Sequence, residues 1–161
     1  MLTQEQLHDM LDYNKATGVF KWKIKRPHVR VGQVAGFTHA DGYTRIKLNS
    51  VAYGGHRLAW LYVHGVWPSN EIDHINRVRD DNRIDNLRDA THEQNTQNAS
   101  IRADNSSGYK GVCWDKENKK WKSRIMMNNK QVLLGRFKYQ LQAVNAYQTA
   151  AIVHQKDFAP Q

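Results

Sequence analysis

Four polar residues in the middle of the chain have the types that a hydrolytic centre needs. Asp73 and His74 are adjacent, Asn86 follows the histidine by twelve positions, and Asn95 comes nine further on. Hydrolysis of a phosphodiester needs an activated water, a cation to neutralise charge on the phosphate and leaving oxygen, and groups that hold both in place. An imidazole titrates close to working pH, so His74 suits the role of general base. The Asp73 carboxylate and the Asn95 carboxamide are hard oxygen donors. With no thiolate beside them they predict one Mg²⁺ or Mn²⁺ ion, whose remaining shell is water and phosphate. Asn82 rivals Asn86 for the middle position. His56 is a second imidazole of the site, a helix cap or a satisfied core group. Arg77, Arg79 and Arg83 precede Asn86, where they either grip phosphates or make a solvated loop.

The surrounding pattern predicts the elements that would position these side chains. Residues 71–74 read as a brief strand, 76–85 as a polar loop and 86–90 as a second strand, and Thr91 with Gln94 forms a capping box that opens a helix to about Asn98. Ahead of them, HRLAWLYVHG repeats apolar residues at helical spacing and stops at Gly65, with Pro68 closing the segment. Residues 3–13 carry a capping pair, Thr3 and Gln6, and predict a short helix. Strands are predicted over 19–24, 33–37 and 43–48, with turns marked by Pro27, Gly32 and Asp41-Gly42. The polar stretch 99–108 has the composition of a linker. Beyond it, 109–114, 121–127 and 131–137 read as strands and 141–154 as an alanine-rich amphipathic helix.

The charge balance narrows the partner. The 161 residues hold 24 Lys and Arg against 15 Asp and Glu, a net charge of +9, and the excess favours a polyanion over a neutral metabolite. Basic and acidic residues number eight and four over 1–53, five and seven over 54–100, and eleven and four over 101–161. Basic flanks around an acidic centre suit a protein that holds phosphates at its ends and a cation in its middle. The single cysteine, Cys113, excludes an internal disulfide and a four-cysteine site, so no structural zinc is expected and a reducing compartment is. The apolar stretch 58–67 is too short and too interrupted to span a bilayer. These features predict a soluble, cytoplasmic protein.

The segment HRLAW followed by IDHINRVRDDNRIDNLRDATHEQNTQN resembles the HNH endonucleases, especially the phage free-standing and intron-encoded homing type. Over roughly 54–98 the resemblance implies a ββα-metal (His-Me finger) core. It implies that Asp73 and Asn95 bind the metal, that His74 activates water, and that Asn86 braces the loop and the orientation of His74. The last position is Asn where His is common elsewhere in the family, and a carboxamide favours magnesium or manganese over softer ions. Residues 105–159, with YKGV, the WKSRI strand, LLGRF and the alanine-rich helix, resemble the AP2 DNA-binding domain. Strand alternation turns Trp121, Ser123 and Ile125 toward the helix and Lys122, Arg124 and Met126 outward. Lys110, Lys122 and Arg124 are then candidate DNA contacts, against the alternative of a merely solvated face. Cys113, Met126 and Leu133 stand where plant members carry readers, so their target sequence does not transfer.

Together these readings predict an α+β protein. It comprises a small β-rich N-terminal unit (1–53), a nuclease core (54–98), a linker (99–108) and a three-stranded antiparallel sheet plus helix (109–159). Lys21, Lys23, Lys25, Arg26 and Arg30 make the first unit either a further DNA arm or scaffold. The expected partner is double-stranded DNA, with no membrane and no small-molecule substrate; nothing in the chain speaks to oligomeric state. The expected activity is metal-assisted cleavage of DNA, and the alternative is a catalytically silent DNA-binding regulator.

Overall fold

The computed structural model describes residues 1–99, 101, 104–128 and 130–155. Over these residues the fold is mixed α+β with several small antiparallel sheets and four helices. Contacts divide it into two compact units, Met1–Ala90 and Thr91–Gln161.

In the first unit, Thr3 and Gln6 close their capping box at the head of α1 (Gln4–Met10). The predicted helix stops three residues early. Leu11 turns extended and starts β1 (Leu11–Asn14), whose Leu11 and Tyr13 point inward while Asp12 and Asn14 stay out. β1 pairs with β2 (Val19–Trp22), and a second sheet follows in the order β3 (Phe37–Thr38), β4 (Thr44–Leu48), β5 (Val51–Gly54). The strand predicted over 33–37 shrinks to Phe37, Thr38 and an isolated bridge between Val34 and Lys21. Gly36 explains this: its φ is +85°, and a Cβ there would lie 2.5 Å from the Arg45 carbonyl oxygen. β5 was not predicted. Its signal is the Asn49-Ser50 pair, both at positive φ, which closes a two-residue hairpin with β4.

β5 runs directly into α2 (Gly55–His64), and Gly65 ends that helix in the left-handed conformation with its N–H on the Leu61 carbonyl at 3.0 Å. The inward face of α2, Leu58, Ala59 and Leu61, joins a core built from Leu7, Leu11, Phe20, Ile46, Leu48, Ile72 and Leu87. The β-rich leader and the strands of the central segment therefore share one hydrophobic core. β6 (Glu71–His74) and β7 (Leu87–Ala90) form an antiparallel pair with Asp73 opposite Arg88 and His74 opposite Leu87. One 3₁₀ turn, Ile84–Asn86, leads into β7.

The second unit begins with α3 (His92–Asn98), opened by the predicted Thr91/Gln94 capping box. A sheet in the order β10 (Lys130–Phe137), β9 (Lys120–Met127), β8 (Val112–Asp115) is covered on one face by α4 (Gln140–Gln155). Ser123 and Ala143 are fully buried, and small side chains at that level let helix and sheet approach closely. Ile125, Val144 and Tyr147 fill the rest of the core. The division at Ala90/Thr91 lies upstream of the polar segment 99–108, so α3 is grouped with the C-terminal sheet.

Candidate active site

The β6–β7 hairpin ends in a loop whose polar groups are satisfied by one another. Asn86 is 7% exposed; its Oδ1 accepts from the Asn76 N–H at 3.0 Å, and its Nδ2 donates to the Asp81 carbonyl at 2.8 Å. The Ile75 N–H reaches the Asn86 carbonyl at 2.9 Å. One carboxamide thus ties both ends of the loop together. Asp81 accepts from Asn76 Nδ2 at 2.6 Å and from the Arg83 guanidinium at 2.6 and 2.8 Å, and that guanidinium holds the Asp81 carboxyl down to about 2.

Asn82 sits under the loop, 3% exposed. Tyr13 Oη donates to its carbonyl at 2.6 Å; burial pushes that phenol up to about 12. A Cβ at Gly18 would lie 2.6 Å from the Asn82 carbonyl carbon, and one at Gly55 2.9 Å from its Nδ2. Only glycines allow the chain to close around Asn82 this way. Its Oδ1 lies 3.4 Å from His74 Nε2.

His74 occupies the last position of β6 and is 5% exposed. Desolvation by burial is the largest influence on its imidazole and lowers its pKa, against an opposing pull from Asn82 and the nearby aspartates. The His56 ring stands edge-on to it with centroids 5.3 Å apart, and Tyr43 lies 5.3 Å from His56 and 5.9 Å from His74. A Cβ at Gly54 would come within 2.8 Å of His56 Cε1, so the backbone before α2 presses on that ring. His56 Nδ1 is buried without a hydrogen-bond partner, and burial drives its pKa down to about 4. Asp73, 4% exposed, receives Arg88 Nε and Nη2 on Oδ2, both at 2.8 Å. Among the described residues no group of three or more His, Cys, Asp and Glu side chains is placed to hold a metal ion. A cation here would rest on one carboxylate, carboxamide oxygen, water and substrate, a donor set that suits a hard divalent ion.

The structure brings Asp73, His74 and Asn86 together on one hairpin, with Asn82 and Asn86 in separate roles rather than competing for one. Asn95 lies in α3 of the second unit, its N–H on the Thr91 carbonyl at 2.9 Å. Arg77 has positive φ and its N–H on the His74 carbonyl at 2.9 Å. Arg79 stacks over Tyr43 and donates to the Asp41 carbonyl at 2.9 Å, and Arg83 is committed to Asp81. Lys122 lies 3.8 Å from Asp115, and Arg124 donates to Gln131 at 2.8 Å. The Lys110 ammonium donates to the carbonyls of Thr96, Gln97 and Ala99 at 3.2, 2.6 and 2.9 Å, so it caps α3 rather than standing outward from the sheet. Tyr43 escaped sequence reasoning, because an aromatic residue at the head of a strand looks like any other until the fold places it against the two histidines.

Residues 53–97 match the HNH endonuclease family model. The HNH segment contains Asp73, His74, Asn82, Asn86 and Asn95, and His56 falls near its start. The chain is also similar to "Protein 3.8" of Escherichia phage T7, with 34% identity over 77 residues, spanning 47% of this chain and 64% of that protein. No helix among the described residues is long and apolar enough to cross a membrane.

Proposed function

We propose that the protein hydrolyses phosphodiester bonds in double-stranded DNA, in the manner of the phage homing endonucleases, with His74 as general base. The observation that carries this reading is the socket around His74: a buried imidazole of lowered pKa, oriented from one side by Asn82 and from the other by His56, inside the segment that matches the HNH model. A carboxamide oxygen only accepts, so the contact with Asn82 puts the proton on Nε2 and makes Nδ1 the basic nitrogen. Nδ1 takes a proton from the attacking water, the new P–O bond forms, and the bond to the 3′ oxygen breaks; that oxygen takes a proton from solvent, leaving 5′-phosphate and 3′-hydroxyl ends. The lowered pKa keeps the imidazole neutral at working pH. Asn86 holds the loop closed, so the imidazole does not swing away.

Asp73 and Asn95 are the residues that would hold one Mg²⁺ or Mn²⁺ ion, which supplies charge neutralisation at the phosphate and the leaving oxygen. Arg88 donates to Asp73 Oδ2 at 2.8 Å and fixes the orientation of that carboxylate. The C-terminal unit, read as an AP2-like module, binds the duplex through the outward face of its sheet, where Lys122 and Arg124 lie. A second reading, a DNA-binding regulator without catalysis, is favoured by the same Arg88–Asp73 pair, which neutralises the carboxylate.

Plasmid nicking with Mg²⁺ or Mn²⁺ by the wild type and His74→Ala tests the proposal. The nuclease reading expects nicking that the substitution abolishes. Equal nicking by both rejects His74 as the base, and binding without nicking by the wild type supports the regulator.

A further inference from the structure

α3 has seven residues and no basic side chain in its last turn, so its final carbonyls need donors from elsewhere. Lys110, eleven to fourteen positions downstream, brings its ammonium to the carbonyls of Thr96 and Gln97 in the last turn and of the cap residue Ala99. A cation at that end also opposes the helix dipole.

The root of this side chain is held as firmly as its tip. Next to it, Gly111 has φ +71°, and a Cβ there would lie 2.2 Å from the Tyr147 ring and 2.4 Å from the Arg124 carbonyl oxygen. The Arg124 N–H donates to the Gly111 carbonyl at 2.8 Å. The backbone at 110–111 is therefore wedged between β9 and α4. α3 and the outward face of the sheet also share the walls of one groove of about 330 Å³, with Glu93, Thr96 and Gln97 on one side and Arg124, Met126 and Gln131 on the other.

We infer that Lys110 is a positioning residue that makes α3 move with the C-terminal sheet, so that DNA held on the sheet sets the placement of the Asn95 carboxamide. This inference rests on the proposed role of Asn95. It stands against the expectation that Lys110 touches DNA, because its ammonium already donates to these carbonyls.

The test compares full-length wild type with Lys110→Met, which keeps the aliphatic stem, and Lys110→Arg, which keeps a donor. Amide exchange over 95–99 is expected to quicken about tenfold or more in Lys110→Met, the scale of a lost charge-assisted hydrogen bond. Lys110→Arg should largely restore it. Binding to a linear duplex across a salt series should keep its slope, whereas loss of a phosphate contact lowers the slope of log K against log salt by about 0.9. In nicking, kcat should fall with KM for DNA unchanged. A slope reduced by about 0.9 with exchange unaltered overturns the inference, as does quickened exchange with kcat unaltered in an active enzyme. If the wild type does not nick, the nuclease reading fails separately, and exchange together with the salt slope still decides whether Lys110 is a clamp or a phosphate contact. Should Lys110→Met not fold, Lys110→Gln replaces it with the same expectations.

Discussion

The β6–β7 hairpin and the β8–β9–β10 sheet are both antiparallel ladders with basic side chains on one side, but they treat those side chains differently. In the hairpin, Arg83 and Arg88 are bound to carboxylates, Arg79 packs on Tyr43, and the carboxamides of Asn82 and Asn86 are buried. On the sheet, Arg124 donates to an exposed glutamine, Arg136 pairs with Asp115 while 39% exposed, and Met126 and Leu133 stand in solvent. A site that moves a proton gains from groups whose orientation is settled before substrate arrives. A surface that reads a polyanion gains from cations that can adjust. The hairpin has the first character and the sheet the second.

This contrast can be broken most sharply at His74. His74→Ala should lower nicking about 10²- to 10⁴-fold with DNA affinity retained, as measured by single-turnover cleavage and filter binding. Retained cleavage would move the proton-transfer role elsewhere in the hairpin.

Asp73→Ala should follow, because it removes the carboxylate that the part-buried Arg88 guanidinium holds at 2.8 Å. Denaturant unfolding is expected to show a loss of about 3–5 kcal/mol. Asp115→Ala, whose partner Arg136 is far more exposed, should cost less. Equal losses would erase the distinction between the two ladders.

His56 gives the comparison a pH signature. Its pKa of about 4 in the fold lies below the ordinary 6.5, so the unfolded chain takes up a proton first as pH falls. Stability from this group is complete above pH 6.5 and declines between about 6.5 and 4, by about 3 kcal/mol in all. The lowered pKa of His74 adds in the same direction. His56→Phe should flatten the His56 part of that decline, and an unchanged pH profile would refute the burial argument.

The smallest effect is expected on the sheet. Arg124→Ala should weaken duplex binding modestly and lower the salt slope by about 0.9, with no change in kcat. A fall in kcat at constant slope would mean that the sheet face is part of the catalytic machinery.

Much of the candidate site was legible because its signals are local. The capping boxes at Thr3 and Thr91, the Gly65 stop and the Asp41-Gly42 turn depend on residues within a few positions of one another, and each appears as read. The spacing of Asp73, His74 and Asn86 is local too, since a loop of that length between paired strands brings its ends together. What escaped was decided by partners far along the chain. Leu11 left the helix because Trp22 pairs with it, and 33–36 left the strand because Gly36 lies against Arg45.

The sequence by itself pointed to a polyanionic partner, to the strand–loop–strand–helix order of 71–98 and to His74 as the candidate base. These follow from charge count, short-range patterning and motif spacing. Tertiary structure alone decided that Tyr43 and His56 enclose His74, that Asn82 and Asn86 divide two tasks, and that Lys110 serves a helix end. The physical reason is shared: a side chain's role depends on which unpaired donor, acceptor or ring the folded chain sets beside it, and neighbours distant in sequence leave no local pattern.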